Sequence, residues 1–219
     1  NRSPPHSTAQ HSDKTGRTMR IFDRNWMQIE KYLEGDDRIV LPCLPFGMAP
    51  YFTEYLGTMS LRMSTYIEVI RHLLDCIVSQ GFRRIAIVNG HGGNAPVTGL
   101  IREWLSIPRV ESVEVVFHSW YNATETAKVA TRFDRDQMHG AWVENFPWTR
   151  VNGAEPPAQA KPVLSRALTG SVDRIRMREL SPDGSHGGAY QRSDAEMNEV
   201  WQAGVSEVRD LIENGWTQG

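Results

Sequence analysis

The sequence predicts one α/β domain, a mostly parallel sheet with helices on both faces, and three observations carry that expectation. Short β-branched apolar runs alternate with segments of helical periodicity, and the order strand, helix, strand, helix, strand implies right-handed crossovers and a covered parallel sheet. A chain of 219 residues is long enough for one well-buried core and short for two. Hydrophobic residues at 40% and charged residues at 23% are ordinary globular usage, which speaks against wholesale disorder.

Residues 1–20 are polar, contain Pro4-Pro5 and lack hydrophobic periodicity, so a disordered arm or an added extension is expected there, with Met19 a candidate native start. Residues 21–219 are assigned to the domain. Asp23 is a candidate N-cap for a helix carrying Trp26, Ile29 and Leu33 and closed by Gly35. Arg38 to Pro42 should be the first strand, buried on both faces. Leu44 to Phe52, rich in proline and aromatics, reads as strand end and loop, and Thr58 to Leu61 as a short strand or turn. Ser64 or Thr65 should cap a helix with Ile67, Ile70, Leu74 and Ile77 on its apolar stripe, ended by Gly81. Cys76 is placed on that stripe as a buried thiol.

Arg84 to Asn89 is an apolar strand, followed by a glycine-rich turn and a helix from about Pro96 to Leu105. Val113 to His118 makes the next strand. A helix near Met138 to Asn145, a loop-rich stretch from Pro147 to about Pro162, a polar turn from Ser181 to Gly188 and a final helix from Ser193 to about Glu213 complete the chain.

Several function classes are disfavoured at once. The net charge is −2 and the arginines are scattered, so nucleic acid is not an expected partner. No apolar run approaches the roughly 20 residues that span a bilayer, and no secretory stretch is visible, so a cytoplasmic protein without membrane contact is expected. The cysteines, Cys43 and Cys76, have no zinc-binding spacing. Any metal would need histidine and carboxylate ligands.

Asn89-Gly90-His91-Gly92-Gly93-Asn94 is the most informative segment. Glycines after a strand let the backbone bend tightly and let another group approach closely. His91 stands among them at the carboxyl end of a central strand, where sites in parallel sheets lie, and suits a metal ligand or a proton-transfer group. The plainer alternative is a simple strand-to-helix turn in which Asn94 caps the helix. Gly90-x-Gly92-x-x-Ala95 also satisfies the dinucleotide pattern, but the next strand ends in Phe117-His118-Ser119 without the carboxylate that would hold a ribose.

The N-G-H-G-G-N turn between strand and helix resembles the signature of creatininase-like amidohydrolases. Gly57-Thr58-Met59-Ser60-Leu61 is similar to the family's G-T-x-S-L element, and His139-Gly140-Ala141-Trp142-Val143-Glu144 to its H-A-G-x-x-E-T-S segment, without the final T-S. The resemblance covers Trp26 to the C-terminus and implies a three-layer α/β/α fold. It further implies that His91 and Glu144 are ligands of a centre of two divalent ions (zinc, manganese or iron), and that His139 handles protons at a small-molecule substrate. Gly92, Gly93 and Asn94 would lie against substrate, with the two glycine amides steadying an oxyanion, and Trp120 and Trp142 are candidate pocket walls that could equally be core. A homo-oligomer is implied too, a hexamer in the family's manner.

The largest departure is at Pro42. There the family runs into G-S-x-E-Q-H-G with an aspartate following, which supplies Glu, His and Asp ligands. This chain passes straight to Cys43-Leu44-Pro45-Phe46-Gly47. Either a segment between Pro42 and Cys43 is missing from the sequence, or the protein carries a deletion, and with only His91 and Glu144 left the centre would fall short of the three protein ligands zinc normally needs. Ser7-Thr8-Ala9-Gln10-His11 does not replace the motif, because it lacks the carboxylate. The expected function is metal-dependent hydrolysis of a cyclic amide or related small ring, with opening of a keto-inositol ring or removal of a formyl group as variants. An inactive creatininase-like subunit and a nucleotide-binding module are the alternatives.

Overall fold

The structure is a computed structural model whose described residues are 18–21, 38–108, 112–150, 155–165 and 169–217. Its strands are β1 (Thr18–Ile21), β2 (Arg38–Val40), β3 (Arg84–Asn89) and β4 (Glu114–Ser119). They form one sheet in the order β2-β1-β3-β4, and every pairing is parallel. Five helices accompany them among the described residues: α1 (Met63–Ser79), α2 (Val97–Ser106), α3 (Thr124–Phe133), α4 (Arg174–Leu180) and α5 (Asp194–Asn214). The parallel sheet with helices on both faces is the expected architecture.

Strand β3 shows why the layers form. Its side chains alternate between the faces of the sheet, as the period of a strand requires. Ile85 and Ile87 pack with Ile70, Leu74 and Ile77 of α1 and Val97, Ile101 and Trp104 of α2. Ala86 and Val88 pack on the opposite side with Met197, Val200, Trp201, Val205 and Val208 of α5 and Ala130 of α3. A strand covered twice needs apolar residues at successive positions, and Ile85 to Val88 are all buried. Burying each isoleucine or valine contributes about 1.5–3 kcal/mol, which explains why this strand is the clearest in the sequence.

The helix ends follow local chemistry. Helix α1 stops in a Schellman turn, in which Gly81, at the positive φ of 92° that favours glycine, donates to the Val78 carbonyl and Phe82 to that of Ile77. Ile77 and Phe82 are both buried, the apolar contact that accompanies this motif. Ser193 and Glu196 form a full capping box at the start of α5.

Several expectations are corrected. Thr18, Met19 and Arg20, assigned to the polar arm, belong to β1, which lies between β2 and β3. A four-residue strand is too short to show a period, and its parallel partners define it. Strand β2 is therefore the second strand and flanks the described sheet, so Ile39 is 41% exposed rather than buried on both faces. The helix proposed over Asp23 to Leu33 lies outside the described residues.

Arg62, and neither Ser64 nor Thr65, occupies the N-cap of α1, without a side-chain cap. Cys76 is exposed, because it stands one residue, about 100° around the helix, from Ile77 on the buried stripe. Met138 to Asn145 is not a helix. Gly140 adopts φ 65°, and the Trp142 amide donates to Ala189 across the fold, leaving one 3-10 turn at Trp142–Glu144. Among the described residues, no helix is long and apolar enough to cross a membrane.

Candidate functional site

The glycine-rich turn leaves the carboxyl end of β3, and its two asparagines build its shape. Asn89 donates through Nδ2 to the His91 carbonyl and to Ser119 Oγ at the end of β4, both at 2.9 Å. Its Oδ1 accepts from the His91 amide at 3.2 Å and from Asn94 Nδ2 at 3.1 Å. Asn94 Oδ1 accepts from the Met48 amide at 3.0 Å, which draws the Met48 loop onto the turn. Both asparagines are buried, so these bonds satisfy groups that would otherwise be costly inside the protein. Asn94 thus neither caps α2, whose N-cap is Pro96, nor borders the large cavity described next.

His91 Nε2 lies 2.8 Å from the Met48 carbonyl. A carbonyl only accepts, so Nε2 carries a proton in this bond. Beyond the turn opens a cavity of about 890 Å³. Met48 to Phe52, Leu61 and Met63 form a largely apolar side, while Arg62, Gly90 to Gly93, Tyr121, His139, Glu144 and His186 bring polar or charged groups to it. Gly92 and Gly93 open a 3-10 turn, whose first amides have no partner within the turn itself. A hollow of about 320 Å³ lies next to it, lined by Leu44, Pro45, Gly47, Asn89, His91, Asn94 and Glu144 among others.

His139 and Glu144 face each other at 3.3 Å between Nδ1 and Oε1, and Glu144 Oε1 also accepts from the Gly140 amide at 3.1 Å. Burial opposes ionisation of Glu144, but the His139 hydrogen bond and charge, the Gly140 amide and the His91 charge together hold its carboxyl below the usual range. Its side chain is still 53% accessible, because it opens into the cavity while protein surrounds it elsewhere. The His139 ring packs at 4.4 Å from Phe52 and 5.0 Å from His186.

Sequence reasoning missed His186. It lines the cavity, its Nε2 is buried with no partner, and burial, reinforced by the charges of His139 and Lys161 and opposed by Glu144, keeps it below the ordinary histidine value. Its signal was only a histidine inside a polar turn. Trp120 is buried and reaches the cavity edge, whereas Trp142 is wholly buried in the core and does not line it. The carbonyl ends of β3 and β4 do meet here, as the rule for open parallel sheets requires.

The creatininase family profile, described as creatinine amidohydrolase, matches residues 20–212. The chain belongs to the creatininase family. Solved creatininase-like structures share the fold: a creatinine amidohydrolase (creatininase) superposes with a TM-score of 0.66 at 17% identity, covering 93% of this chain and 92% of the other. One from Bacteroides fragilis, provisionally named a creatinine amidohydrolase, gives 0.69 at 15% identity over 94% and 92%. A creatininase variant of Zn–Zn type gives 0.66 at 15% identity over 92% of each chain. No curated protein matches the chain by sequence.

Creatininase membership raises the question of metal. His91, with Nε2 donating to a carbonyl, has the outer-sphere bond that metal-ligating histidines show, and ionised Glu144 is a suitable oxygen donor. Among the described residues, however, no three histidine, cysteine, aspartate or glutamate side chains stand together as a metal site. Tetrahedral zinc needs at least three protein ligands, so this donor set does not fit the expected pair of ions. With Thr18–Ile21 as the first strand, the Glu, His and Asp motif expected after that strand would fall in residues outside the described set, and Pro42–Cys43 instead lies at the end of the second strand.

Proposed function

We propose that this creatininase-family protein is a hydrolase of a cyclic amide or related small ring compound, with His139 as its proton-transfer group. The observation that carries the reading is the His139–Glu144 pair facing a cavity that also presents the Gly92–Gly93 turn. In this mechanism Glu144 accepts from Nδ1–H, orients the imidazole and stabilises it when protonated. Nε2 of His139 is then free to take a proton from an attacking water and to return it to the departing nitrogen. The Gly92 and Gly93 amides, at the start of a helical turn, serve an oxyanion on the carbonyl being attacked. The apolar side from Met48 to Phe52 favours a ring body with less polarity than creatinine.

The finer assignments belong to this reading. A small-molecule substrate, opening of a keto-inositol ring as a variant of the reaction, and cytoplasmic residence without disulfides accord with the cavity and the two free cysteines. Assembly into a homo-oligomer, a hexamer by family resemblance, would bury the exposed Leu56, Met59 and Met63. Divalent metal dependence is supported by the zinc form of a relative and opposed by the donors described here.

The test is turnover of a panel of lactams, cyclic ureas and keto-inositols by wild type and by His139→Gln. Loss of on the order of 10²-fold or more in kcat, with little change in KM, is expected for a general acid–base group. Equal rates in the two proteins would remove His139 from the reaction. A second reading, an inactive creatininase-like subunit, is favoured by the lack of a three-ligand metal group among the described residues, and predicts binding of such compounds without turnover.

A further inference from the structure

The polar turn from Ser181 to Gly188 is held by a dense set of hydrogen bonds, with Ser181 and Ser185 buried. Lys161 exchanges two backbone hydrogen bonds with Gly188, its amide donating at 3.0 Å and its carbonyl accepting at 2.8 Å. Its ammonium then reaches into the turn and donates to Asp183 Oδ1 at 2.6 Å, the Ser185 carbonyl at 2.7 Å and Ser181 Oγ at 3.3 Å. An ammonium has three protons to place, and these acceptors take all of them. Asp183 also accepts from the Ser185 amide at 3.2 Å and from the Tyr190 hydroxyl at 2.5 Å. Burial resists its ionisation, but the Lys161 and Tyr190 bonds and the Ser185 amide prevail, and its carboxyl is lowered to about 2.

Ser185 is therefore fixed at both its amide and its carbonyl, and the next residue is His186. The His186 amide donates to the His139 carbonyl at 2.9 Å, and its own carbonyl accepts from Leu164 at 2.8 Å. The two loops touch backbone to backbone, since a Cβ built on Gly140 would stand 3.0 Å from Ser185 Cα. An unbroken path of short bonds thus runs from Lys161 to the two imidazoles on the cavity wall. Lys161 does not itself line that cavity.

We infer that Lys161 and Asp183 are positioning residues, which act through the Ser185–His186 backbone to set where the His139 and His186 rings stand. A network whose every donor meets a fixed acceptor specifies one turn geometry, and an apolar residue at 161 could fill the space without specifying it. The catalytic consequence rests on the hydrolase reading above; the geometric claim does not.

The experiment uses the full chain with Lys161→Met and the milder, near-isosteric Asp183→Asn. Histidine Cε1–H resonances are recorded beside urea unfolding and steady-state kinetics. The expected result is displacement or broadening of the His139 and His186 signals while those of His72 and His118 stay in place. With turnover, kcat falls by on the order of 10²-fold and KM moves little, as for misplacement of a reacting group by about 1 Å. Lys161→Arg, which keeps the charge, should recover part of both effects. Unchanged His139 and His186 signals in a folded variant would overturn the inference, and Asp183→Asn decides it if Lys161→Met does not fold. Absence of turnover in wild type would count against the hydrolase reading and leave the resonance test standing.

Discussion

A methyl group at Gly93 would fall 1.9 Å from the Met48 carbonyl oxygen and 2.6 Å from His91 Nε2. The backbone there cannot yield without releasing the bond that orients His91. Gly93→Ala should therefore cost about 1–3 kcal/mol of stability, the range for overpacking, and should disturb the His91 ring. Urea unfolding with the wild-type midpoint would show that the Met48 loop moves aside freely. His118 gives a pH-dependent counterpart. Its Nε2 is buried without a partner, and burial holds its pKa below 6.5 despite the nearby Glu207 charge. The unfolded chain takes up a proton below about 6.5 that the folded protein resists, so stability is complete above that pH and is lost as pH falls towards the depressed native value. His118→Gln should flatten the decline of Tm between about pH 7.5 and about pH 5.5, although His186 shifts in the same direction and keeps some of it. An undiminished decline in the variant would contradict this.

At the scale of elements, the start of α3 is capped from another helix. Glu207 Oε2 on α5 accepts from the amides of Glu125 and Thr126 at 3.1 Å each and from Thr126 Oγ1 at 3.2 Å. The carboxylate satisfies amides that have no partner in α3 and sits at the positive end of the helix. Glu207→Ala should lose about 1–2 kcal/mol in denaturant unfolding, as for loss of an N-cap, with the slope unchanged. A cap between distant residues leaves no local trace in sequence. The start of α5 at Ser193 was legible for the opposite reason, its cap partner Glu196 being three positions away, as were the doubly covered β3 and the Gly81 stop of α1. Short β1 and the Met138–Asn145 stretch were not, since their form is set by partners elsewhere: β3 for the one, Ala189 and the 184–185 backbone for the other. The site shows the same division. His91, His139 and Glu144 stood out by motif, whereas His186 enters the cavity through long-range bonds to His139 and Leu164.

For the molecule as a whole, the donor set makes a prediction that needs no substrate. Elemental analysis of the purified protein should find fewer than two tightly bound divalent ions per chain. Two ions per chain would mean that residues outside the described set complete the centre. The Asn89–Asn94 turn bears on how such a result is understood. Its asparagines bind β3, β4 and the Met48 loop together, and none of those bonds involves a reacting molecule. A gene copy released from selection for turnover would keep both asparagines, because losing either would strand buried polar groups and loosen three segments at once. The two asparagines of the signature are thus held in place by folding, and a protein can keep both through the loss of its chemistry.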